Sequence, residues 1–296
     1  MTELALPPAE IRRIVYLGTP EVAVPPLRAL HAAGFEIPLV VTRADKRRGR
    51  GSTLHPSPVK AAASELGLPV TTDVDAVLDV GADLGVVVAF GRIIKPHVLE
   101  ALPMVNLHFS LLPRWRGAAP VERALLAGDT ETGVCVMQVA EGLDTGDVYR
   151  RAIVTIDDTA TLDSLRGELV DIGTDLLVAS LRDGLGPGEP QIGEPVYAEK
   201  IANEEYRIDP TRSSESLHRL VRLGGAWGEF RGKRFKIWAV TPSTRDDLAP
   251  GQFDGTLVGT GTTALELVEV QPEGKARMDA RSWINGAQPS PDERLS

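Results

Sequence analysis

The sequence predicts an α/β chain whose first half builds a mostly parallel sheet and whose last third builds a small β-barrel. Three observations carry this. Up to residue 128, short apolar runs alternate with segments of helical spacing, the rhythm of β-α-β units. Residues 184–190, Gly-Leu-Gly-Pro-Gly-Glu-Pro, interrupt the chain with Gly and Pro, a linker composition. Beyond them lie short strand signals set between Gly and Pro turns, which suits a barrel. The length of 296 residues fits two domains, and the boundaries fall at 1–183, a linker at 184–205, and 206–296.

Each element has a local reason. Ile14 to Gly18 is an apolar run closed by Gly and reads as a buried strand. Residues 23–33 follow as a helix, with Leu27, Leu30 and Ala33 at helical spacing and Gly34 as the stop. Ile37 to Thr42 is a second strand, and the charged, Gly-containing stretch 43–56 is a loop. Ser57-Pro58 opens a helix to Leu66, with Ser as the N-cap and Pro in the first turn. Strands at 84–89 and 104–109 flank a short helix at 95–102, and Pro120 starts a helix ending near Gly128. Val134–Val139 and Val148–Ile156 are β-rich and joined by the turn Gly142-Leu143-Asp144-Thr145-Gly146-Asp147. Residues 160–183 carry a leucine stripe and form a long amphipathic helix. In the last third, a helix at 213–223 precedes strands at 235–240, 255–258 and 264–270, and Arg281 to Ser296 is expected to be a frayed tail.

Composition narrows the function. With 43% hydrophobic residues the chain can build a core, so wholesale disorder is excluded. No run approaches the ~18 apolar residues of a transmembrane helix, and the first ten residues do not read as a signal peptide. The lone Cys135 lies in an apolar run, so a buried thiol in a reducing cytoplasm is expected. A net charge of −9 argues against nonspecific coating of nucleic acid. Positive charge is nevertheless concentrated in two places. One is 43–50, with Arg43, Lys46, Arg47, Arg48 and Arg50 against Asp45; the other is 206–238, with eight basic and three acidic residues.

Three polar features stand out. In a strand, Asn106, His108 and Ser110 share one face while Leu107 and Phe109 share the other. Such a row fits the solvated side of an edge strand. On a parallel strand covered on both faces it calls for a ligand at the strand's carboxyl end. Leu111 to Pro120, with two prolines and Gly117, forms an irregular loop after that strand and lines the same crevice. Asp144 lies in a turn, where aspartates usually bond their own backbone. No G-x-G-x-x-G, P-loop or G-x-S-x-G pattern occurs. His31, His55, His97 and His218 lack ligand spacing, so no metal site is expected.

Taken together, Asn106-x-His108-x-Ser110-Leu111-Leu112-Pro113-x-x-Arg116-Gly117 and the Asp144 turn resemble the signature of folate-dependent formyltransferases. Tyr16-Leu17-Gly18-Thr19-Pro20, Pro56-Ser57-Pro58-Val59-Lys60, Val88-Ala89-Phe90-Gly91, Arg114 to Pro120, Glu131-Thr132-Gly133, Tyr197-Ala198-Glu199-Lys200 and Arg207-Ile208-Asp209 are similar to the methionyl-tRNA branch of that family. The likeness runs over residues 12–295. It departs at Arg43-Ala44-Asp45-Lys46, where the family commonly has Gln-Pro-Asp, and at the shorter Leu223–Trp227 loop.

The resemblance implies a Rossmann-like catalytic domain, an OB-like barrel that binds tRNA, and a monomeric cytoplasmic enzyme. That enzyme moves a formyl group from 10-formyltetrahydrofolate, a cosubstrate, to the methionine amine of initiator methionyl-tRNA, for translation initiation and without a metal. Asn106, His108 and Asp144 are then the catalytic trio. Val88, Phe90, Gly91, Ser110, Leu111, Leu112, Pro113 and Gly142 hold the folate, and Arg43, Lys46, Arg47, Arg48, Arg50, Arg231, Lys233 and Arg234 meet the tRNA. A nucleotide-amino-sugar formyltransferase shares the trio and is the alternative. A non-catalytic relative is disfavoured by the intact trio, because a decayed site rarely keeps all three.

Overall fold

A computed structural model describes residues 4–47 and 54–296. The chain divides into two compact units. The first comprises residues 1–120, 131–155 and 166–199; the second takes 121–130, 156–165 and 200–296.

The first unit is built on a seven-stranded sheet. Its strands are β1 (Arg13–Gly18), β2 (Glu36–Val41), β5 (Val70–Thr71), β6 (Leu84–Val88), β7 (Met104–His108), β9 (Glu131–Gln138) and β10 (Val148–Thr155), in the order β10-β9-β7-β6-β1-β2-β5. The pairs from β7 to β5 are parallel, and β9 and β10 extend the sheet antiparallel. Helices α1 (Val24–Ala32), α2 (Pro58–Glu65), α3 (Pro96–Ala101) and much of α5 (Leu162–Asp183) complete the layers. β6 is buried at every position, as a strand covered on both faces must be. Val15, Leu17, Leu39, Val41, Val87 and Met104 pack with Val98, Leu99 and Leu102 of the α3 region into one apolar layer. On the opposite side α5 lies close to β7 and β9: a Cβ on Gly173 would sit 3.3 Å from Leu107 and Val134. Ser57 caps α2 by accepting from the Lys60 amide at 3.0 Å.

The chain runs from β1 outward through β2 to β5 and then crosses back to β6 and β7 on the other side of β1. The sheet therefore has a switch point, and the carboxyl ends there are where open α/β sheets place ligands. The loop expected at 43–56 contains a two-stranded ribbon, β3 (Lys46–Arg47) with β4 (Leu54–His55). Arg48 and Arg50 lie outside the described residues.

The second unit holds an antiparallel sheet of β12 (Trp227–Phe230), β13 (Lys233–Pro242), β14 (Phe253–Asp254), β15 (Leu257–Val258) and β16 (Leu265–Pro272), with β17 (Met278–Asp279) beside β16. Register shifts at Ile237 to Val240 interrupt the ten-residue β13, and shifts of this kind bend a strand. Phe235 and Ile237 face the core, as alternation predicts. The two earlier segments of this unit, 121–130 and 156–165, are fastened to its later part. Arg219 of α6 (Ser214–Arg222) donates to the Ala127 carbonyl at the end of α4 (Pro120–Ala127), and Arg222 donates to the carbonyls of Ala160 and Asp157 at 2.6 and 2.7 Å.

The expected frayed tail is not one. Residues Ala280–Ala287 form helix α7, capped by Asp279. Trp283 packs edge-on against Phe230 at 5.2 Å and lies 4.5 Å from Phe235. The chain end then pairs with Glu229 through Ser296, at 2.6 and 3.0 Å. Arg231 holds Glu293 at 2.7 Å, which draws that carboxyl down to about 2. The sequence signal was weak because the apolar residues are few and their partners lie fifty or so positions upstream. Trp283→Ala should therefore destabilise the full chain by about 3–5 kcal/mol. Denaturant unfolding monitored on the second unit checks this, and a loss within error of zero would return the segment to a dispensable tail.

Candidate active site

The site is assembled where β7 ends. Asn106 and His108 project from the same face of that strand, as the alternation of side chains requires, and Leu107 is buried on the other. Asp144 reaches them from the turn between β9 and β10. Its Oδ2 lies 3.6 Å from His108 Nδ1, and Asn106 Nδ2 reaches its Oδ1 at 3.5 Å. The same Oδ2 accepts the Gly117 amide at 2.8 Å. Two neighbouring segments, β7 and Gly117 of the loop after it, thus converge on one carboxylate brought from a turn 27 or more positions downstream.

Backbone geometry makes the turn possible. Asp144 adopts φ +51°, a left-handed conformation that aspartate tolerates better than most residues. A Cβ on Gly146 would lie 2.1 Å from the Gln138 carbonyl, so only glycine lets the turn close on β9.

His108 is 5% exposed, and both its nitrogens face oxygen. Nε2 lies 2.9 Å from the Trp115 carbonyl; a carbonyl only accepts, so Nε2 carries a proton. Nδ1 faces the carboxylate. Ser110 is fully buried, and its hydroxyl donates to the Arg114 carbonyl at 2.6 Å, which ties down the loop. Trp115, which supplies the carbonyl for His108, sits at φ +64° beneath the Arg114 guanidinium, 4.4 Å from its ring.

The residues expected to hold the folate occupy varied settings. Val88 and Phe90 are buried at the end of β6, and Gly91 is exposed at φ +72°. Leu111 and Pro113 are half-buried, and Gly142 is exposed. Leu112 is buried in a cluster with Cys135, Met137 and Val148. Burial pushes the Cys135 thiol up. Of the residues expected at tRNA, Arg43 donates to the Ala44 carbonyl, and Lys46 and Arg47 lie exposed on β3. Asp45 is neutralised by Lys60 at 2.8 Å. Arg231 is engaged by Glu293, Lys233 is exposed, and Arg234 stacks on Trp227 at 4.2 Å. Among the described residues no group of three or more His, Cys, Asp or Glu could hold a metal, and no helix is long and apolar enough to cross a membrane.

Sequence reasoning missed one participant. Gln191, one residue past the Gly/Pro-rich linker signal, donates to the carbonyls of Asp144 and Gly146 at 2.9 and 2.7 Å. Its Oε1 accepts from Arg116 at 2.7 and 3.0 Å. Nearby, β8 (Arg116–Gly117) pairs in parallel with β11 (Tyr197–Ala198). Nothing in the composition of Glu-Pro-Gln-Ile-Gly marks these contacts.

Residues 12–181 match the formyl transferase family, and residues 200–288 match the formyl transferase C-terminal domain. The chain belongs to the formyl transferase family. It is 44% identical to the methionyl-tRNA formyltransferase of Symbiobacterium thermophilum, over 93% of this chain and 92% of that one. It is 46% identical to the methionyl-tRNA formyltransferase of Leifsonia xyli subsp. xyli, over 93% and 97%. Within the family it therefore falls among the methionyl-tRNA formyltransferases. Two solved structures share the fold. The N-formyltransferase of Helicobacter canadensis, in complex with folinic acid and dTDP-3-aminofucose, has TM-score 0.67 and 17% identity over 87% of this chain and 99% of that one. HypX of Aquifex aeolicus, in complex with tetrahydrofolic acid, has TM-score 0.64 and 16% identity; it matches 93% of this chain, which spans about half of HypX (47%).

The Asp144 turn gives a direct test of the geometry. Gly146→Ala should push the turn off Gln138 and misplace the Asp144 carboxylate, lowering kcat by about a hundredfold. Steady-state kinetics decides it, and a wild-type rate would show that the turn tolerates a side chain there.

Proposed function

We propose that this protein transfers the formyl group of 10-formyltetrahydrofolate to the amino group of methionine on initiator methionyl-tRNA, for translation initiation, as a cytoplasmic monomer and without a metal. The observation that carries the reading is the convergence of Asn106, His108 and Asp144 at the end of β7. The relatives' names and their full-length identity support the tRNA substrate over an amino-sugar nucleotide, whose enzyme resembles this chain only at 17%.

The chemistry follows from charge. The methionyl amine attacks the formyl carbon, a carbon–nitrogen bond forms, and the carbonyl electron pair moves to oxygen. A negative oxygen in a shielded site needs donors in place. Asn106 Nδ2 is half-exposed and only 3.5 Å from Asp144, a contact at the limit of hydrogen bonding, so it can turn to the oxygen. His108 is tied to Trp115 through Nε2, so it donates to the oxygen only by giving up that bond. Asp144 takes the proton lost by the amine. Collapse then breaks the bond to N10 of the folate, and N10 leaves with the proton that Asp144 relays.

The folate is proposed to lie along Val88, Phe90, Gly91, Ser110, Leu111, Leu112, Pro113 and Gly142. The tRNA backbone is proposed to meet the 43–50 segment together with Lys233 and Arg234, through Lys and Arg side chains suited to phosphate; Arg231, bonded to Glu293, is given to the fold instead.

One assay separates the substrates. With 10-formyltetrahydrofolate present, charged initiator tRNA should become formylated and a dTDP-amino sugar should not; the reverse result ends this reading. His108→Ala and Asp144→Ala should abolish turnover of a folded protein, and Asn106→Ala should lower the rate by ~10²–10³. If His108→Ala retained more than about a tenth of the wild-type rate, the assigned chemistry would be wrong.

Replacing Lys46 and Arg47 by Ala should raise the KM for tRNA and flatten its log–log salt dependence by about 1–2, with the folate KM unmoved. An unchanged tRNA KM would remove the ribbon from the interface.

A further inference from the structure

Outside the trio, Gln191 bridges two segments of the site. Its amide bonds two carbonyls of the catalytic turn, at Asp144 and Gly146, while its oxygen accepts two bonds from Arg116. It therefore uses both amide hydrogens and its carbonyl oxygen on functional segments, and it is half-buried rather than solvated. The segment that carries it is itself fixed on both sides. Glu189 exchanges two backbone bonds with Val148, each 2.9 Å, at the end of the turn. Val196 donates to the Pro113 carbonyl at 3.3 Å, and its own carbonyl accepts the Arg116 amide at 2.9 Å.

These contacts close a ring of bonds. Arg116 precedes Gly117, whose amide donates to Asp144 Oδ2, and Gln191 joins the Arg116 side chain to the Asp144 main chain. The turn needs such support. Asp144 is held at φ +51° and its neighbours Leu143 and Thr145 are exposed, so few packing contacts fix its carboxylate.

We infer that Gln191 is a positioning residue that holds the Asp144 turn in register with His108 and Asn106, and that residues 189–198 act as a strap over the catalytic loops rather than as a passive connection. Gln191 touches no reacting atom and acts through the Asp144 backbone. The inference rests on the reading of Asp144 as catalytic.

The chemistry of the amide gives a discriminating variant. Gln191→Glu keeps an oxygen for Arg116, and adds charge to that bond. It removes the donors and turns a carboxylate oxygen toward the carbonyls of Asp144 and Gly146. If Gln191 only anchors Arg116, Gln191→Glu should behave as wild type. If it positions the turn, kcat should fall by about ten- to a hundredfold, the scale expected for a small misplacement of a catalytic group. The KM for tRNA should stay within about twofold, because the residues proposed to meet the tRNA lie outside this turn.

The full-length Gln191→Glu and Gln191→Ala proteins, assayed beside wild type, test this together with amide hydrogen exchange of residues 142–147. The expected result is a lower kcat in both variants, faster exchange in that turn, and unchanged exchange in β6 and β7. Should Gln191→Ala fail to fold, Gln191→Glu carries the test through the Arg116 bond that it retains. A wild-type kcat in Gln191→Glu, or a lower kcat with unchanged exchange at 142–147, overturns the inference. Formylation of charged initiator tRNA by wild type in the same assay, and its loss in Asp144→Ala, judge the underlying reading separately.

Discussion

The carboxylate of Asp144 is the point on which the site depends. A charged group that is mostly withdrawn from water must be met by donors, and here they come from two stretches of chain: the Gly117 amide of the loop and Asn106 Nδ2 of β7, with His108 Nδ1 of the same strand 3.6 Å away. Each donor belongs to an element fixed for other reasons. β7 is held between β6 and β9, and Gly117 belongs to a two-residue strand paired with Ala198. At Gly117 the backbone runs at φ +118°, and a Cβ would lie 2.9 Å from the Ala198 carbonyl. Glycine is required there so that the loop can approach closely enough to present its amide.

The same economy governs His108. An imidazole has two nitrogens, and its orientation is ambiguous unless one is bonded. The Trp115 carbonyl fixes Nε2 and thereby turns Nδ1 to Asp144. That carbonyl is aimed inward because Trp115 is left-handed in backbone, with Ser110 also reaching it at 3.4 Å. The loop after β7 therefore does more than line a crevice: its main chain holds a proton on Nε2 and sets the orientation of the central ring.

How much of this was legible follows from the range of the interactions. The parallel sheet was readable because each strand announces itself by a local apolar run, and Ser57-Pro58 marks its helix start within three residues. Asn106 and His108 could be placed on one face because strand alternation is a local rule. The Asp144 contact was reached only through resemblance, since a turn aspartate looks the same whether or not it faces a histidine. Gln191 and α7 were missed for one reason. Both sit in Gly/Pro-rich or polar sequence, and their partners are distant: Asp144 lies 47 positions away from Gln191. Composition records what a segment could do alone and is blind to what it closes against.

Charge shows the same limit. The excess in residues 206–238 counts every basic side chain equally, yet the fold uses several internally. Arg219 and Arg222 hold carbonyls at residues 127, 157 and 160, Arg231 is matched by Glu293, and Arg207 lies 3.8 Å from Glu229. These charges are spent on holding the second unit together. What is left for a polyanion is narrower: the exposed Lys233 and two cation–aromatic stacks along β13. Arg234 lies over Trp227, and Lys236 flanks Trp238 together with Arg277, which comes from outside the counted segment and is itself matched by Glu269 at 3.6 Å. Stacking orders a guanidinium without neutralising it, so such cations keep their charge while losing less conformational entropy on meeting a phosphate. The surface that a net charge of −9 leaves for a nucleic acid is therefore defined by which cations lack an acid, and the alternation of Arg234, Lys236 and Trp238 along one strand is what gathers them.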